Sequence, residues 1–297
     1  MTPILIIGAS GYVGQAFCRE LSARGVTYGY MSGRAIGIEF QTMVESLRPT
    51  LCINCAAMTG RPNISECETK PGEAYTANTA LPGVLAERCQ RLGIPFAHIS
   101  TACLWQGGWY DGLYKDDLRN IQLQHARLIG HIESDPPTFY GSVYVKSKLA
   151  AERLLSMYPN VWIFRIRLPF SNHDHPRNYL TKLLTYPRLL DQVNSLTCLT
   201  DAIPAMLSVA ERDLPRGIYN VVNPGYVSTR EITTILQPEH PKPFKFFASD
   251  EEFLRAPNAM AGSNCVVEPA RLTSEGIHLP TVQAALRTAV DTWIPSK

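Results

Sequence analysis

The first fourteen residues set the tightest constraint on what this chain can fold into. A continuous apolar run, Pro3-Ile-Leu-Ile-Ile, leads directly into Gly8-Ala-Ser-Gly11-Tyr-Val-Gly14. A strand without polar alternation suits a parallel sheet covered on both faces. An amphipathic helical pattern follows the glycines through Leu21 and stops near Gly25. Glycines at such a junction permit a tight turn and let the backbone approach a pyrophosphate closely. The helix N-terminus adds unpaired N–H groups and a positive dipole end. A dinucleotide-binding βαβ unit is the expectation, with a bare tight turn as the bland alternative.

The rest of the chain extends that pattern. Strands are expected over 26–30, 51–54, 95–99 and 161–168, and helices over 39–47, 73–92 and 144–158. Alternating elements of this kind predict an α/β fold, a Rossmann-like doubly wound parallel sheet. Beyond residue 168 the pattern becomes irregular. A short strand over 217–222, helices over 229–236 and 282–293, and prolines clustered from Pro238 to Pro243 suggest a smaller C-terminal lobe. We expect a cofactor-binding domain over 1–168, to which strands near 197–222 return, and a mainly substrate-binding lobe over 169–297.

Composition removes several classes. Hydrophobic residues make up 45% of the 297 and charged residues 18%, and the formal net charge is +2. Disorder needs the opposite balance. There is no dense Lys/Arg run of the kind that marks a nucleic-acid partner. No stretch approaches the roughly 18 apolar residues of a membrane span. The N-terminus lacks the basic flank of a signal peptide. A cytoplasmic protein with reduced thiols is expected, partnered with neither nucleic acid nor membrane. Its eight cysteines are scattered. Cys52-x-x-Cys55 has metal-like spacing, but on a buried strand residues three apart face opposite ways. His173-x-His175 reads as a loop, and no metal is expected.

Two further features suggest redox chemistry. The second strand is followed by Met31-Ser32-Gly33-Arg34, without the acid that holds a ribose in NAD enzymes. Arg34 could contact the 2′-phosphate of NADP, or could be a solvated loop residue. Tyr144-Val-Lys-Ser-Lys148 places Tyr144 and Lys148 on one helical face. A Lys ammonium one turn from a phenol makes it a better proton donor and can hold a cofactor ribose. The Tyr can then protonate a carbonyl oxygen as hydride arrives. Ser100-Thr101 supplies a hydroxyl where a strand ends, and ligands bind at the carboxyl ends of parallel strands.

These residues resemble the nucleotide-sugar branch of the short-chain dehydrogenase/reductase superfamily. Several motifs are similar to those of its nucleotide-rhamnose synthase/epimerase-reductase family: Asn54-Cys-Ala-Ala57, Thr59-Gly60-Arg61-Pro62-Asn63 with Cys67-Glu68, Thr101-Ala-Cys103, Arg165-x-Arg167-x-Pro169, Pro176-Arg-Asn178-Tyr-Leu-Thr-Lys182 and Asn223-Pro-Gly225. The likeness runs from the first strand to about residue 272. It implies NADPH-dependent reduction of a nucleotide-linked 4-keto-6-deoxy sugar, with epimerisation at C3 and C5, downstream of a nucleotide-sugar 4,6-dehydratase. The product implied is an activated 6-deoxy-L-sugar such as L-rhamnose. NADH is the alternative cofactor, and a homodimer is expected.

The resemblance also assigns roles. Thr101, Tyr144 and Lys148 become the reducing triad, and Cys103 and Lys182 the acid/base pair for epimerisation. A thiolate is a competent base and a desolvated Lys a competent acid. Cys103 follows Thr101 by two residues and can reach the same pocket from one loop. The expected cofactor contacts are Gly8, Ser10, Gly11, Tyr12, Val13, Gly14, Arg34, Asn54, Ala56, Ala57, Tyr144 and Lys148. Arg61, Asn63, Arg177 and Asn178 are candidates for the sugar hydroxyls or diphosphate, against a purely structural role in their loops. Two departures stand out. The segment 106–137 is long and carries Trp109, Tyr110 and Tyr114, as a lid or a partner surface. Gly262, before Ser263-Asn264-Cys265, stands where the family has Arg. Two rival functions remain: a 4-ketoreductase without epimerase activity, and a non-catalytic regulatory subunit.

Overall fold

The computed structural model describes residues 3–32, 37–61, 63–118, 128–241, 243–257, 259–260 and 262–295. Two compact units are present. One comprises Met1–Thr101, Ser142–Arg165 and Met206–Tyr219, and the other Ala102–Gly141, Ile166–Ala205 and Asn220–Lys297.

The first unit is built on a six-stranded sheet. In spatial order the strands are Gly217–Asn220, Val161–Ile166, Phe96–Thr101, Leu51–Asn54, Ile4–Ile7 and Tyr28–Met31. Ile4–Ile7 pairs in parallel with both Tyr28–Met31 and Leu51–Asn54, and Leu51–Asn54 with Phe96–Thr101. Strand order steps outward in both directions from the junction of Ile4–Ile7 with Leu51–Asn54. That junction is the topological switch point, where sheets of this kind bind ligands. Every residue of Ile4–Ile7, Leu51–Asn54, Phe96–Thr101 and Val161–Ile166 is buried, as in a parallel sheet covered on both faces, so the polar Asn54, His98, Ser100, Thr101 and Arg165 on them are buried as well. Leu5, Ile7, Cys52, Leu85, Phe96 and Ile163 share one core cluster.

Most expected elements form within two residues of the expected bounds. The helix expected over 73–92 differs. Pro71–Tyr75 passes through a π-helical turn, Thr76–Ala80, before Leu81–Arg91 resumes as α-helix. Asn78 explains the turn. Its Oδ1 accepts from Met58 N–H, and its Nδ2 donates to Met58 O and Ser147 Oγ. The extra residue in the turn places a buried amide between a loop and a helix, a common use of π-bulges.

The second unit has a core around Phe170, Leu180, Leu196, Ile232, Leu286 and Val290. Helix Thr229–Leu236 starts with a capping box, Ser228 accepting from Glu231 N–H and Glu231 accepting in return. The long segment 106–137 forms, in its described part, a three-stranded antiparallel sheet of Leu113–Lys115, Gly108–Tyr110 and Leu128–Ile129. Its two-residue turn is Asp111-Gly112, with φ of 48° and 79°. Positive φ at both positions is what a type I′ hairpin requires, and Asp-Gly tolerates it well. His131 stacks on Trp105 with ring centroids 5.3 Å apart and lies against Trp109 at 4.5 Å. Among the described residues no helix is long and apolar enough to cross a membrane.

Candidate active site

The glycine turn is shaped by its own backbone. Gly8 has φ +80°, and a Cβ there would lie 2.6 Å from Ala56 N. A Cβ on Gly14 would lie 2.3 Å from Gly8 O. Both must be glycine for helix Tyr12–Ala23 to pack this closely against the strand end. The helix has no side-chain cap at Gly11. Its first-turn N–H groups lack intrahelical acceptors and suit an anion. Ser10 and Gly11 are exposed, as is Ala57. Tyr12 instead buries its ring, 5% exposed. The turn fits a dinucleotide pyrophosphate. Arg34 and Pro62 lie outside the described residues.

Helix Val143–Leu155 carries Tyr144 and Lys148 in its first two turns. Ser142 caps it by accepting from Val145 N–H at 3.2 Å, and Glu68 Oε1 accepts from Val143 N–H at 2.7 Å. A carboxylate at a helix N-terminus also complements the dipole. Within the Cys67-Glu68 motif, Glu68 thus holds the start of the helix bearing Tyr144. The π-turn adds Thr79 Oγ1 donating to Ser147 O at 2.7 Å. Thr101 ends its strand, 3% exposed, and Tyr144 is half-buried. Neighbouring Ser100 faces the other way and donates to Glu152 Oε1 at 2.5 Å.

Lys148 is 1% exposed and donates to Ile99 O at 2.6 Å. Its Nζ also lies 3.0 Å from His98 Nε2, and His98 Nδ1 lies 3.1 Å from Asn54 Nδ2. Asn54 Oδ1 accepts from Ala56 N–H at 3.0 Å, which fixes the amide's orientation. Asn54 is thus the donor to Nδ1, so His98 carries its proton on Nε2, facing Lys148. That contact favours the unprotonated amine. Burial pulls Lys148 the same way, down to about 8, against the opposing pull of Glu152. Burial, and then Lys148, hold His98 well below the ordinary histidine value. Sequence reading missed His98; its even spacing from Ser100 on one strand face was the available signal.

The second unit holds Cys103, Lys182, Arg177 and Asn178. Cys103 is half-buried, and Arg167 Nη1 lies 3.2 Å from its sulfur. Lys182 is half-buried on helix Tyr179–Thr185. Burial, and then the Arg177 charge, lower its affinity for a proton. Asn178 is fully buried and caps that helix. Its Oδ1 accepts from Leu180 N–H, and both its N–H donors go to Ser171 O and His173 O. In the first unit Asn63 Oδ1 accepts from Ser65 N–H, and the exposed Arg61 gives its backbone N–H to Glu66. The side chains of Asn63 and Asn178 hold their loops. A cleft of about 400 Å³ in the second unit is lined by Phe139, Gln192, Phe253, Gly262 and Asn264 among others. A Cβ on Gly262 would meet no atom within 4 Å.

The other sulfurs are packing groups. Cys52 lies against Cys89 in the core, while Cys55, one residue past the strand end, faces Cys18 and Lys148. The bond to Cys89, and then burial, push the Cys52 thiol up, and burial does the same to Cys55. His175 Nδ1 accepts from Arg177 N–H in a half-buried loop. Among the described residues no group of three His, Cys, Asp or Glu is placed to hold a metal.

A parallel sheet, a glycine turn at its switch point and a Tyr-x-x-x-Lys helix beside it define a Rossmann-like dinucleotide-dependent reductase fold. The chain belongs to the family described as the RmlD substrate binding domain, whose model matches residues 1–292. It is 36% identical over 230 residues to the bifunctional dTDP-4-dehydrorhamnose 3,5-epimerase/dTDP-4-dehydrorhamnose reductase of Arabidopsis thaliana, covering 77% of this chain and 72% of that one. A longer trifunctional relative from the same plant is a UDP-glucose 4,6-dehydratase/UDP-4-keto-6-deoxy-D-glucose 3,5-epimerase/UDP-4-keto-L-rhamnose-reductase. It is 31% identical over 284 residues, which are 95% of this chain and 41% of that relative's length. The L780 UDP-rhamnose synthase of Acanthamoeba polyphaga mimivirus has the same fold, with TM-score 0.84 and 25% identity over 98% of this chain and 99% of that one. So does a dTDP-4-dehydrorhamnose reductase from Bacillus anthracis, solved in complex with NADP, with TM-score 0.76 and 20% identity over 97% of both chains.

Proposed function

We propose that this chain is an NADPH-dependent epimerase/reductase acting on a nucleotide-linked 4-keto-6-deoxy sugar, to give an activated 6-deoxy-L-sugar such as L-rhamnose. The carrying observation is that a full Thr101, Tyr144 and Lys148 set is accompanied by a half-buried thiol at Cys103 and a proton-releasing Lys182. The likeness to a relative named for both activities supports it. The glycine turn, with Ala56 and Ala57 beside it, holds the dinucleotide. Bound there, NADPH supplies the hydride.

Thr101 and Tyr144 donate hydrogen bonds to the 4-keto oxygen. These same bonds stabilise the enolate that forms when a proton leaves C3 or C5. Cys103 removes that proton as the base, and Lys182 returns one from the other face as the acid. Lys182 suits that role because burial and Arg177 make its ammonium give up a proton more readily. In the reducing step Tyr144 protonates O4. Lys148, one helical turn on from Tyr144, can return a proton to it. The substrate is the product of a nucleotide-sugar 4,6-dehydratase, and the protein works as a homodimer in the cytoplasm.

The test supplies UDP- and dTDP-linked 4-keto-6-deoxyglucose with NADPH in D₂O. We expect NADPH oxidation and deuterium at C3 and C5 of the product. Oxidation with no deuterium at either carbon would reduce the reading to a 4-ketoreductase. No oxidation with any carrier would favour a regulatory subunit. Cys103→Ala should abolish exchange and still reduce a pre-epimerised ketone; equal loss of both would remove Cys103 from its role. Sedimentation velocity at micromolar concentration checks the dimer.

A further inference from the structure

Arg167 is 1% exposed, yet among the described residues none of its hydrogen-bond partners is a carboxylate. Its Nη1 donates to Ser263 Oγ at 3.1 Å and lies 3.2 Å from Cys103 Sγ. Its Nη2 donates to Ser263 O at 2.8 Å and to Asn194 Oδ1. Its Nε makes no hydrogen bond. A buried cation without a counter-ion is costly, and truncating around one leaves an uncompensated charge.

Among the described residues, Cys103, Cys265, His131 and Tyr179 lie under the influence of this guanidinium. Tyr179 is held up by burial, so its phenol stays neutral. His131 is held down by burial and is neutral as well. Cys265 is fully buried and gives its S–H to Ala102 O at 3.6 Å. Cys103 remains. It is half-buried, and its sulfur receives an N–H of the guanidinium, a bond that favours a thiolate over a thiol.

We propose that Arg167 and Cys103 form a buried ion pair in which Arg167 holds the sulfur as the thiolate that acts as the epimerisation base. Arg167 is a positioning residue and acts through Cys103. Ser263 and Asn194 fix the guanidinium so that one N–H faces the sulfur. The chemistry is a proton transfer only. The carbon acid protonates the thiolate, the electron pair stays in the enolate, and the neutral thiol keeps its contact with Arg167. The role as base rests on the epimerase reading above; the ion pair does not.

Site-resolved alkylation by iodoacetamide, followed by peptide mass spectrometry, separates Cys103 from the other seven thiols. In the wild-type protein its rate should be nearly flat from pH 7 to 9. A rise of about 25-fold over that range, as for an ordinary thiol of pKa about 8.5, would overturn the pair. Arg167→Met should slow alkylation at pH 7 by about tenfold or more and reach the wild-type rate at pH 10. Arg167→Lys should restore part of the loss. An equal slowing at both pH values would mean that Arg167 only shapes the loop. The wild-type profile needs no variant, so misfolding of Arg167→Met leaves the test standing. Deuterium exchange is read separately: a flat profile without exchange sinks the epimerase reading and keeps the ion pair.

Discussion

Lys148 is an ammonium side chain placed where an ammonium is costly. Its Nζ touches His98, whose other ring nitrogen is held by Asn54, which is held in turn by Ala56 N–H. Protonating Lys148 turns two donors toward one another unless His98 moves its proton to Nδ1, which Asn54 opposes. A charge on Lys148 therefore disfavours a charge on His98. A consequence follows for stability. His98 is neutral when folded and accepts a proton when unfolded below about pH 6.5. The unfolded state binds more protons there, so stability falls as pH drops through that value. Thermal midpoints between pH 7 and 5 should fall in the wild-type protein and fall less in His98→Gln. Equal slopes would contradict the buried neutral histidine. Tyr144 and Lys148 could be picked out from their spacing together with their place on a helix after the dinucleotide turn. His98 could not, because a histidine inside an apolar run carries no motif; its partner sits 50 residues away.

Among the elements, helix Val143–Leu155 does the most for the site. It is fixed at its start by Ser142 and Glu68, and midway by Asn78 and Thr79. On its inner face Glu152 pairs with Arg165 of the neighbouring strand, Oε2 to Nη2 at 2.6 Å, both about 3% exposed. Arg165→Met alone should cost roughly 3–5 kcal/mol by leaving Glu152 buried and unpaired. Adding Glu152→Leu should recover much of that loss, read as urea midpoints. Additive losses in the double variant would show that the pair itself contributes little. Ser142→Ala should cost about 1 kcal/mol and lower turnover more than substrate affinity, because it loosens the Tyr144 end of the helix. Helix bounds were readable from apolar spacing and glycine stops. The π-turn was not, since it is dictated by Asn78 reaching Met58 and Ser147, contacts set by the tertiary fold. The motif Arg165-x-Arg167 was visible as a motif, but its division of labour was not. One arginine neutralises Glu152, and the other faces Cys103.

At the scale of the whole molecule, the chain passes between its two units five times, at Thr101, Gly141, Arg165, Ala205 and Tyr219. The expectation from the sequence is a boundary near residue 168, where irregularity rises, with strands near 197–222 returning to the first domain. A fragment of residues 1–168 tests it. It lacks the edge strand Gly217–Asn220 and carries residues 102–141 away from the rest of their unit. It should express insoluble or without a cooperative thermal transition, and a soluble, cooperatively melting fragment would support the single boundary. The glycine turn, the helix bearing Tyr144 and Lys148, and the loop bearing Cys103 were each legible as elements because each is short in sequence. The return of strands near 197–222 was expected, but the crossings at Thr101 and Gly141 were not, because they depend on which strands complete the sheet. This interleaving also constrains how such a protein can be rearranged by recombination. A crossover at any interior position divides at least one unit between two parents, so neither half can be exchanged as a cassette. Transfer into another polypeptide is possible only for the chain as a single insert.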